Sequence, residues 1–301
     1  LYAYAAANVD YTADEALFSA ADRESMTRLY TKDGEFSEEI CLYGYKQRHV
    51  PLSDMSDAVK NTFIAAEDRH FYEHHGVDIP RTLYAAGNYI TKRRPTFGAS
   101  TVTQQVVKNI SGDDDVTPKR KLTEMLRAFH MEHEHTKDEI FGLYLNIVPM
   151  SENLVGIGMA SEVYFGVSPS ELSYAQAATL AAVANAPTRY NPYLHPEECR
   201  EKRNRVLYAV MDAGYIEEET YRAAAAEPLG VKARPEEMLM SWFCETALSD
   251  VEADLVETCG MTPEAAHRFV ICGGLRIETT EEPTVQAALE KVFSELSLPD
   301  G

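Results

Sequence analysis

Two short blocks of the sequence carry side chains that could perform chemistry. The first block is residues 67–76, EDRHFYEHHG, and it supplies a carboxylate that could move a proton. The second block is residues 98–105, GASTVTQQ, a glycine-opened helix start that is rich in hydrogen-bond donors. Helix starts of this kind hold phosphates. Together the two blocks indicate group transfer from an activated phosphate donor.

Glu67 is the candidate proton-transfer group. The apolar spacing of residues 59–66 predicts a helix that ends near Glu67, which places its carboxylate at the negative end of the helix dipole. That position, together with the neighbouring Asp68, is expected to raise the pKa of the Glu67 carboxyl, which suits a general acid or base near neutral pH. The alternative is a plain surface Glu-Asp pair. The aromatic, histidine and glycine residues that follow at fixed spacing disfavour it.

The second block predicts an anion-binding strip on one face of a helix. If Ser100 caps that helix, Thr101, Gln105 and Lys108 follow at i, i+4 and i+7 and share one face. The free backbone amides at the helix start would add further donors. The alternative is an ordinary capped helix with a solvated polar face, and composition does not exclude it.

A third candidate lies in residues 117–124, TPKRKLTE. Threonine followed by proline is a good helix start, and it places Arg120 and Glu124 one turn apart. We interpret Arg120 as a phosphate ligand and Glu124 as a second acidic group. The alternative is a surface ion pair worth about 0.3–0.5 kcal/mol. The nearby histidines of residues 130–135, HMEHEH, lack the HExxH pattern and do not share one helical face, so we predict no metal site there.

Composition narrows the classes of partner. The 301 residues suffice for one large domain and a small one, and the net charge of −20 argues against a nucleic-acid partner. Two dense basic clusters, residues 92–94 and 119–121, flank the second block and favour an anionic ligand or lipid headgroup.

The five cysteines show neither a CxxC pair nor zinc spacing. No window reaches the ~20 apolar residues of a membrane helix, and the chain opens without methionine, which suggests an excised fragment.

The patterning predicts a mainly α protein. Residues 28–52, with an Asp33-Gly34 turn, predict a short β hairpin. Residues 54–230 are mainly helical in pattern and include an alanine-rich buried helix within 168–186. A charged helical pair with a break at Gly214 is predicted in residues 200–226. Farther on, we predict an amphipathic helix near 241–256, a strand within 273–280 and a helix from about 284.

These blocks, in this order, resemble the peptidoglycan glycosyltransferase family, the lysozyme-like module of class A penicillin-binding proteins. The resemblance covers roughly residues 28–225. The residues that match the first three motifs are Glu67, Asp68, Phe71, His74 and Gly76, then Ser100, Thr101, Gln104, Gln105, Lys108 and Asn109, then Arg120, Lys121 and Glu124. Residues 137–146 look like the fourth motif, and residues 164–166 and 186–192 resemble the fifth and its sequel.

The resemblance implies a mainly α, lysozyme-like, two-lobed helical fold, with a short N-terminal β hairpin and a small α/β linker segment at the C-terminus. It assigns residues 1–27 to a membrane-proximal segment and 28–230 to the glycosyltransferase domain, with 79–97 as a membrane-associated jaw. Residues 231–301 are then a linker towards a transpeptidase domain. The SxxK and KTG motifs of a transpeptidase do not occur in the sequence.

The substrate that the resemblance implies is lipid II, together with the growing glycan strand. Glu67 matches the catalytic base and Glu124 the second catalytic acidic residue. The resemblance places the remaining motif residues at the substrate, with Thr101, Gln105, Lys108 and Arg120 at the pyrophosphate and with Asp68, Phe71, His74, Ser100, Gln104, Asn109 and Lys121 around them. No cofactor is required, although a divalent cation, Mg or Mn, can assist at the pyrophosphate.

The implied location is the extracytoplasmic face of the bacterial plasma membrane, with the anchor outside this chain and other cell-wall synthesis proteins as partners. The chain also departs from the family pattern. Phe141-Gly142 stands where Leu-Glu is usual, residues 150–153 replace a glycine-rich stretch, and Gly158 stands where a glutamate is usual. These departures support an alternative, a weakened or inactive scaffold that binds lipid II. A muramidase-type hydrolase is a further alternative, which the retained pyrophosphate cations oppose.

Overall fold

The protein is mainly helical in the computed structural model, as its sequence predicts. The structure describes residues 11, 18, 27–39, 41–42, 45–46, 49–92, 100–111, 117–150, 154–233, 242–272 and 274–295. The helices of the main body are α1 (Asp57–Glu67), α2 (Ile79–Lys92), α3 (Val102–Ser111), α4 (Pro118–Glu134), α5 (Lys137–Ile147), α6 (Ile157–Phe165), α7 (Tyr174–Asn185), α8 (Pro196–Asp212) and α9 (Glu218–Ala226). The later helices are α10 (Trp242–Cys259), α11 (Pro263–Cys272) and α12 (Pro283–Glu295).

The alanine-rich helix α7 lies at the centre of the main body. Ser173 and Gln176 form a reciprocal capping box that begins the helix, and Pro187 follows shortly after its end. Nearly all of α7 is buried, and α1 and α8 pack against it. The buried helix predicted within residues 168–186 is therefore confirmed, although the earlier start signal at Ser168 forms a turn instead of a helix.

Helix α8 is anchored by a buried arginine. Arg203 is fully buried, and its guanidinium donates to three backbone carbonyls at the end of α9 and just beyond it, those of Ala225, Glu227 and Pro228. Carbonyls near a helix C-terminus lack partners within the helix, so a cation there satisfies them. The predicted break between α8 and α9 is confirmed at Gly214, whose φ is 81°. This anchor holds α8 against the body beside α1.

A small sheet forms a second, separate hydrophobic cluster. Strands β1 (Arg28–Tyr30) and β2 (Phe36–Glu39) are antiparallel, which confirms the predicted hairpin. Strand β1 also pairs in parallel with β5 (Arg276–Glu278), a pairing that the sequence analysis did not predict. Leu29 is buried there against α10 and α11, and α11 itself was not predicted. Two short strands, β3 (Cys41–Leu42) and β4 (Tyr45–Lys46), pair with each other.

Helix α2 occupies the first part of the predicted jaw. Three apolar side chains near its start, Ile79, Leu83 and Tyr84, are more than half exposed. Residues 93–99, including the end of the jaw, Gly98 and most of the basic cluster 92–94, lie outside the described residues. Among the helices that the structure describes, none combines the length and apolar character needed to cross a bilayer.

Candidate active site

Glu67 is the last residue of α1, as predicted from the spacing of its apolar face. Ser56 caps the start of α1 by accepting the Val59 amide, and Asp68 is the residue at the C-terminal cap. The Glu67 carboxylate accepts a hydrogen bond of 3.0 Å from Gln105 Nε2 on α3. Its backbone carbonyl accepts one of 2.9 Å from the Arg81 guanidinium on α2. Three helices therefore hold this residue in place.

The pKa of the Glu67 carboxyl is raised, but the leading cause differs from the expected one. Burial is the largest cause, because it disfavours the charged form, and the neighbouring Asp68 adds only a minor contribution. The Gln105 hydrogen bond and the positive charges of Lys202 and Arg81 oppose the rise. Arg81 also occupies the negative end of α1, which offsets the helix dipole. Burial thus favours proton uptake by this carboxylate.

Asp68 lies beside Glu67 but faces inward and joins the first block to the second. It is fully buried, and its Oδ2 accepts from His74 Nε2 at 2.9 Å and from the Val102 backbone amide at 3.0 Å. The Val102 amide is one of the unpaired donors at the start of α3. Asp68 therefore positions α3 relative to α1, and it supports the backbone next to Glu67.

The cap of α3 is Thr101 rather than Ser100. The Thr101 hydroxyl accepts from the Gln104 amide, and the Gln104 side chain accepts from the Thr101 amide, which forms a capping box. Thr101 is fully buried and its hydroxyl also donates to the Gly76 carbonyl at 2.6 Å. Ser100 instead accepts a 2.8 Å hydrogen bond from Lys121 Nζ. The predicted anion-binding strip is therefore buried at Thr101. Its accessible part consists of Gln105, which is half-buried, and Lys108, which is exposed.

Glu124 lies on α4 and is enclosed by cations and an amide. Thr117 caps α4 with Pro118 in its first turn, which confirms the predicted helix start. Arg120 contacts Glu124 Oε2 at 2.9 Å, Lys121 pairs with Oε1, and Gln104 Nε2 donates to Oε1 at 2.9 Å. Because Glu124 is only 5% exposed, this is a buried network and differs from the surface ion pair considered above.

The start of α3 therefore lies between the two carboxylates. Gln105 donates to Glu67 and the adjacent Gln104 donates to Glu124. On the Glu124 side, α3 and α4 form a small cleft. The residues that line it are Val107, Lys108, Ser111, Arg120, Thr123, Glu124 and Arg127. A carboxylate with a raised pKa thus stands on one side of α3, and a cationic cleft opens on the other.

The aromatic and histidine residues of the first block pack as supports. Phe71 is fully buried, its ring contacts Phe141, and Lys137 Nζ lies 4.4 Å from its centroid. His74 meets the edge of the Phe71 ring while binding Asp68. Asn109 is half-buried on α3 beside Lys108, which is exposed. These contacts place Phe71 and His74 around Asp68, next to Glu67.

Lys202 on α8 is a site residue that the sequence analysis missed. Partial burial lowers the pKa of its ammonium, and the negative charge of Glu67 opposes that fall. Lys202 Nζ also lies 5.8 Å from the Tyr190 ring, over which Arg189 stands at 5.3 Å. Helix α8 therefore brings positive charge to Glu67, and the positive charge of Arg189 acts on Lys202 in turn. The sequence did not indicate that Lys202 lies near Glu67, because Lys202 is one of several charged residues along α8.

One departure from the family pattern, Phe141-Gly142, lies on the buried part of α5. A Cβ at Gly142 would lie 3.5 Å from the Leu52 Cβ, which is an ordinary van der Waals contact. The Gly142 carbonyl accepts from the Asn146 side chain, which also pairs with both backbone groups of Val50. Phe141 is fully buried in the core. Residues 151–153 lie outside the described part of the chain.

The histidines of residues 130–135 are engaged with rings and carboxylates. The ring centroid of His130 is 4.2 Å from that of Tyr11, and the centroid of His135 is 3.8 Å from that of Phe18. His133 pairs with Glu134 at 2.8 Å. Within the described ranges, no three side chains of His, Cys, Asp or Glu are grouped so that they could hold a metal ion.

Comparison with known proteins shows the family to which the chain belongs. Residues 33–211 match the model of the family described as transglycosylase. Penicillin-binding protein 1A/1B of Bacillus subtilis strain 168 is 36% identical over 274 residues, which cover 88% of this chain and 29% of that protein. Penicillin-binding protein 1A of Clostridium perfringens strain 13 is 31% identical over 89% of this chain and 41% of its own length.

A solved structure, that of penicillin-binding protein 1A from Haemophilus influenzae, is 21% identical to this chain, with a TM-score of 0.41, and the match covers 89% of this chain and 28% of that one. The chain therefore spans between about a quarter and two fifths of the length of these relatives. The family model itself covers more than half of the chain and includes both carboxylates and the cleft between α3 and α4. The chain belongs to the transglycosylase family, the peptidoglycan glycosyltransferases that its ordered motifs resemble.

Proposed function

We propose that this chain polymerises lipid II into glycan strands by inverting transfer, with release of undecaprenyl pyrophosphate. The observation that carries this proposal is the position of α3 between the two carboxylates. Glu67, whose pKa is raised, lies on one side, and the cationic cleft that contains Glu124 lies on the other. A single displacement needs a base at the acceptor and positive charge at the leaving group.

In the proposed step, Glu67 removes the proton of the acceptor's GlcNAc 4-hydroxyl. The oxygen forms a bond to C1 of the donor's MurNAc, the bond between C1 and the phosphate oxygen breaks, and its electron pair leaves with the pyrophosphate. Gln105 orients the Glu67 carboxylate through its 3.0 Å hydrogen bond. Lys108 and Arg120, which line the cleft, stabilise the charge that develops on the leaving group.

A divalent cation held by protein ligands does not fit the described part of this cleft. Magnesium and manganese prefer carboxylate and carbonyl oxygens. The cleft presents cations instead, and its carboxylate, Glu124, is already paired with Arg120 and Lys121. We therefore route no step of the reaction through a metal ion.

The proposal also includes the membrane. The exposed apolar side chains Ile79, Leu83 and Tyr84 on α2 support contact of the jaw with the bilayer surface, where lipid II resides. We place the reaction at the extracytoplasmic face of the bacterial plasma membrane, with other cell-wall synthesis proteins as partners.

The test is incubation of the purified protein with labelled lipid II, followed by separation of the products by size. Glu67→Gln should reduce polymer formation by about 10²–10⁴-fold, since it removes the general base. Glu73→Gln is the matched control, because Glu73 is an exposed glutamate of the same block, and it should retain activity. Binding of lipid II without any polymer from the unaltered protein would favour the scaffold, and shortening of preformed glycan would favour the hydrolase.

A further inference from the structure

Three consecutive residues of α3 each contact a different carboxylate. Gln105 donates to Glu67, and Gln104 donates to the second carboxylate of the site. The residue before them, Thr103, donates its hydroxyl hydrogen to Glu132 Oε1, near the end of α4. Successive residues of an α-helix point about 100° apart, so these three contacts span more than half of the circumference of α3. Together they fix the rotation of α3 about its own axis.

The contact between Thr103 and Glu132 is buried and supported from another helix. Thr103 is fully buried, and the Glu132 side chain is 4% exposed. Lys137, the first residue of α5, places its Nζ 2.8 Å from both carboxylate oxygens of Glu132. The same ammonium lies over the Phe71 ring. A buried carboxylate requires such a partner, and Lys137 therefore stabilises Glu132 as the acceptor for Thr103.

The rotation of α3 determines whether Gln105 reaches Glu67. A side-chain end lies about 6 Å from a helix axis, so a rotation of about 10° displaces it by about 1 Å. That displacement is enough to break the 3.0 Å hydrogen bond from Gln105 to Glu67. The Val102 amide, which Asp68 binds, lies on the backbone closer to the axis, so that contact opposes rotation less.

We propose that Thr103 and Glu132 are positioning residues, which hold Gln105 in contact with Glu67 by fixing the rotation of α3. This inference rests on the function proposed above and concerns the same carboxylate. Thr103 and Glu132 act through the helix, and Gln105 transmits their effect to Glu67.

The titration of Glu67 reports on this effect. The Gln105 hydrogen bond lowers the pKa of the Glu67 carboxyl, so its loss should raise that pKa further. Among the described residues, the other charged or titratable groups that act on Glu67 are Asp68, Arg81 of α2, Tyr144 of α5 and Lys202 of α8. A substitution of Thr103 leaves all of these side chains in the protein, so a changed titration points to α3.

The test is a pH titration of Glu67 by carbon-13 NMR, in protein labelled at the carboxyl carbon of glutamate side chains. Glu67→Gln identifies the signal. Thr103→Val removes the hydroxyl, and it should raise the pKa of Glu67 and lower kcat/KM for polymerisation at neutral pH by roughly 10-fold. Thr103→Ala, which adds no volume, should change both in the same direction. Thr103→Ser restores the hydroxyl and should return both values close to those of the unaltered protein.

A double-variant cycle determines whether Thr103 acts through Gln105. In a Gln105→Leu background, Thr103→Val should cause no further rise in the pKa of Glu67. Thr179→Val is the matched control, because the buried Thr179 hydroxyl donates to the Ala175 carbonyl at 2.8 Å within α7. It removes the same group from another part of the core and should leave the titration of Glu67 unchanged.

The inference is overturned if Glu67 titrates in Thr103→Val as it does in the unaltered protein. It is also overturned if Thr179→Val raises the pKa equally, or if Thr103→Val still raises it in the Gln105→Leu background. The NMR titration needs no lipid II and therefore separates this inference from the proposed function. If Thr103→Val shifts the titration but the unaltered protein makes no polymer, the proposed function fails and the positioning role stands. If polymer forms and Thr103→Val changes neither the titration nor the rate, the function stands and the inference fails.

Discussion

Two adjacent carboxylates of the first block should respond in opposite ways when each is replaced by its amide. Glu67 has a raised pKa, so the folded state favours its protonated form. Its contribution to stability is present at low pH and is lost as the pH rises through the pKa of the folded state. Burial of this ionisable carboxyl therefore costs stability as the pH rises, and Glu67→Gln, which cannot ionise, should raise the free energy of unfolding while it reduces polymer formation.

Asp68→Asn should do the reverse, because this carboxylate is buried and bonded. Its Oδ2 accepts two hydrogen bonds, from His74 at 2.9 Å and from the Val102 amide at 3.0 Å. Hydrogen bonds to a charged group contribute about 1.5–3 kcal/mol each. An amide retains one weaker acceptor, so we expect a loss of about 2–4 kcal/mol, which corresponds to a fall in Tm of roughly 5–15 °C in a chain of this size.

Urea unfolding followed by circular dichroism at neutral pH measures both changes. Asp212→Asn is the control, since Asp212 is 54% exposed in its 2.7 Å ion pair with Arg69 and should lose less than about 1 kcal/mol. The reasoning is refuted if Asp68→Asn unfolds within about 0.5 kcal/mol of the unaltered protein, or if Glu67→Gln is the less stable of the two variants.

Two further predictions concern the surroundings of these carboxylates. The positive charge of Lys202 lowers the pKa of Glu67, so Lys202→Met should move the acidic limb of the kcat/KM profile for polymerisation to higher pH, and an unmoved limb would contradict the contact. Gly76 has φ +81°, and a Cβ there would lie 2.6 Å from the Ala128 carbonyl oxygen. Gly76→Ala should therefore lower the free energy of unfolding by about 2–4 kcal/mol in denaturant titration, whereas Gly34→Ala, at φ +79° with open space around it, should cost about 1 kcal/mol.

Much of the site could be predicted from residues that are close together in the chain. The end of α1 at Glu67 follows from a helical apolar pattern, and the start of α4 follows from Thr117 and Pro118. The i, i+4 spacing of Arg120 and Glu124 likewise predicts their contact. Such features depend on a few consecutive residues and on helix geometry, so they do not need knowledge of the fold.

Other features depend on segments that are far apart in the chain and therefore required the folded structure. Burial is the main cause of the raised pKa of Glu67, and it results from packing around the end of α1. The residues next to Glu67 in the sequence do not predict that burial. The approach of Lys202 to Glu67 depends on how α8 packs beside α1, and the pairing of β1 with β5 joins strands from opposite ends of the chain. The order of the motifs identified the family and its two carboxylates. Long-range packing then determined that the Glu67 carboxylate is buried against α3 and that Asp68 joins α1 to the start of α3.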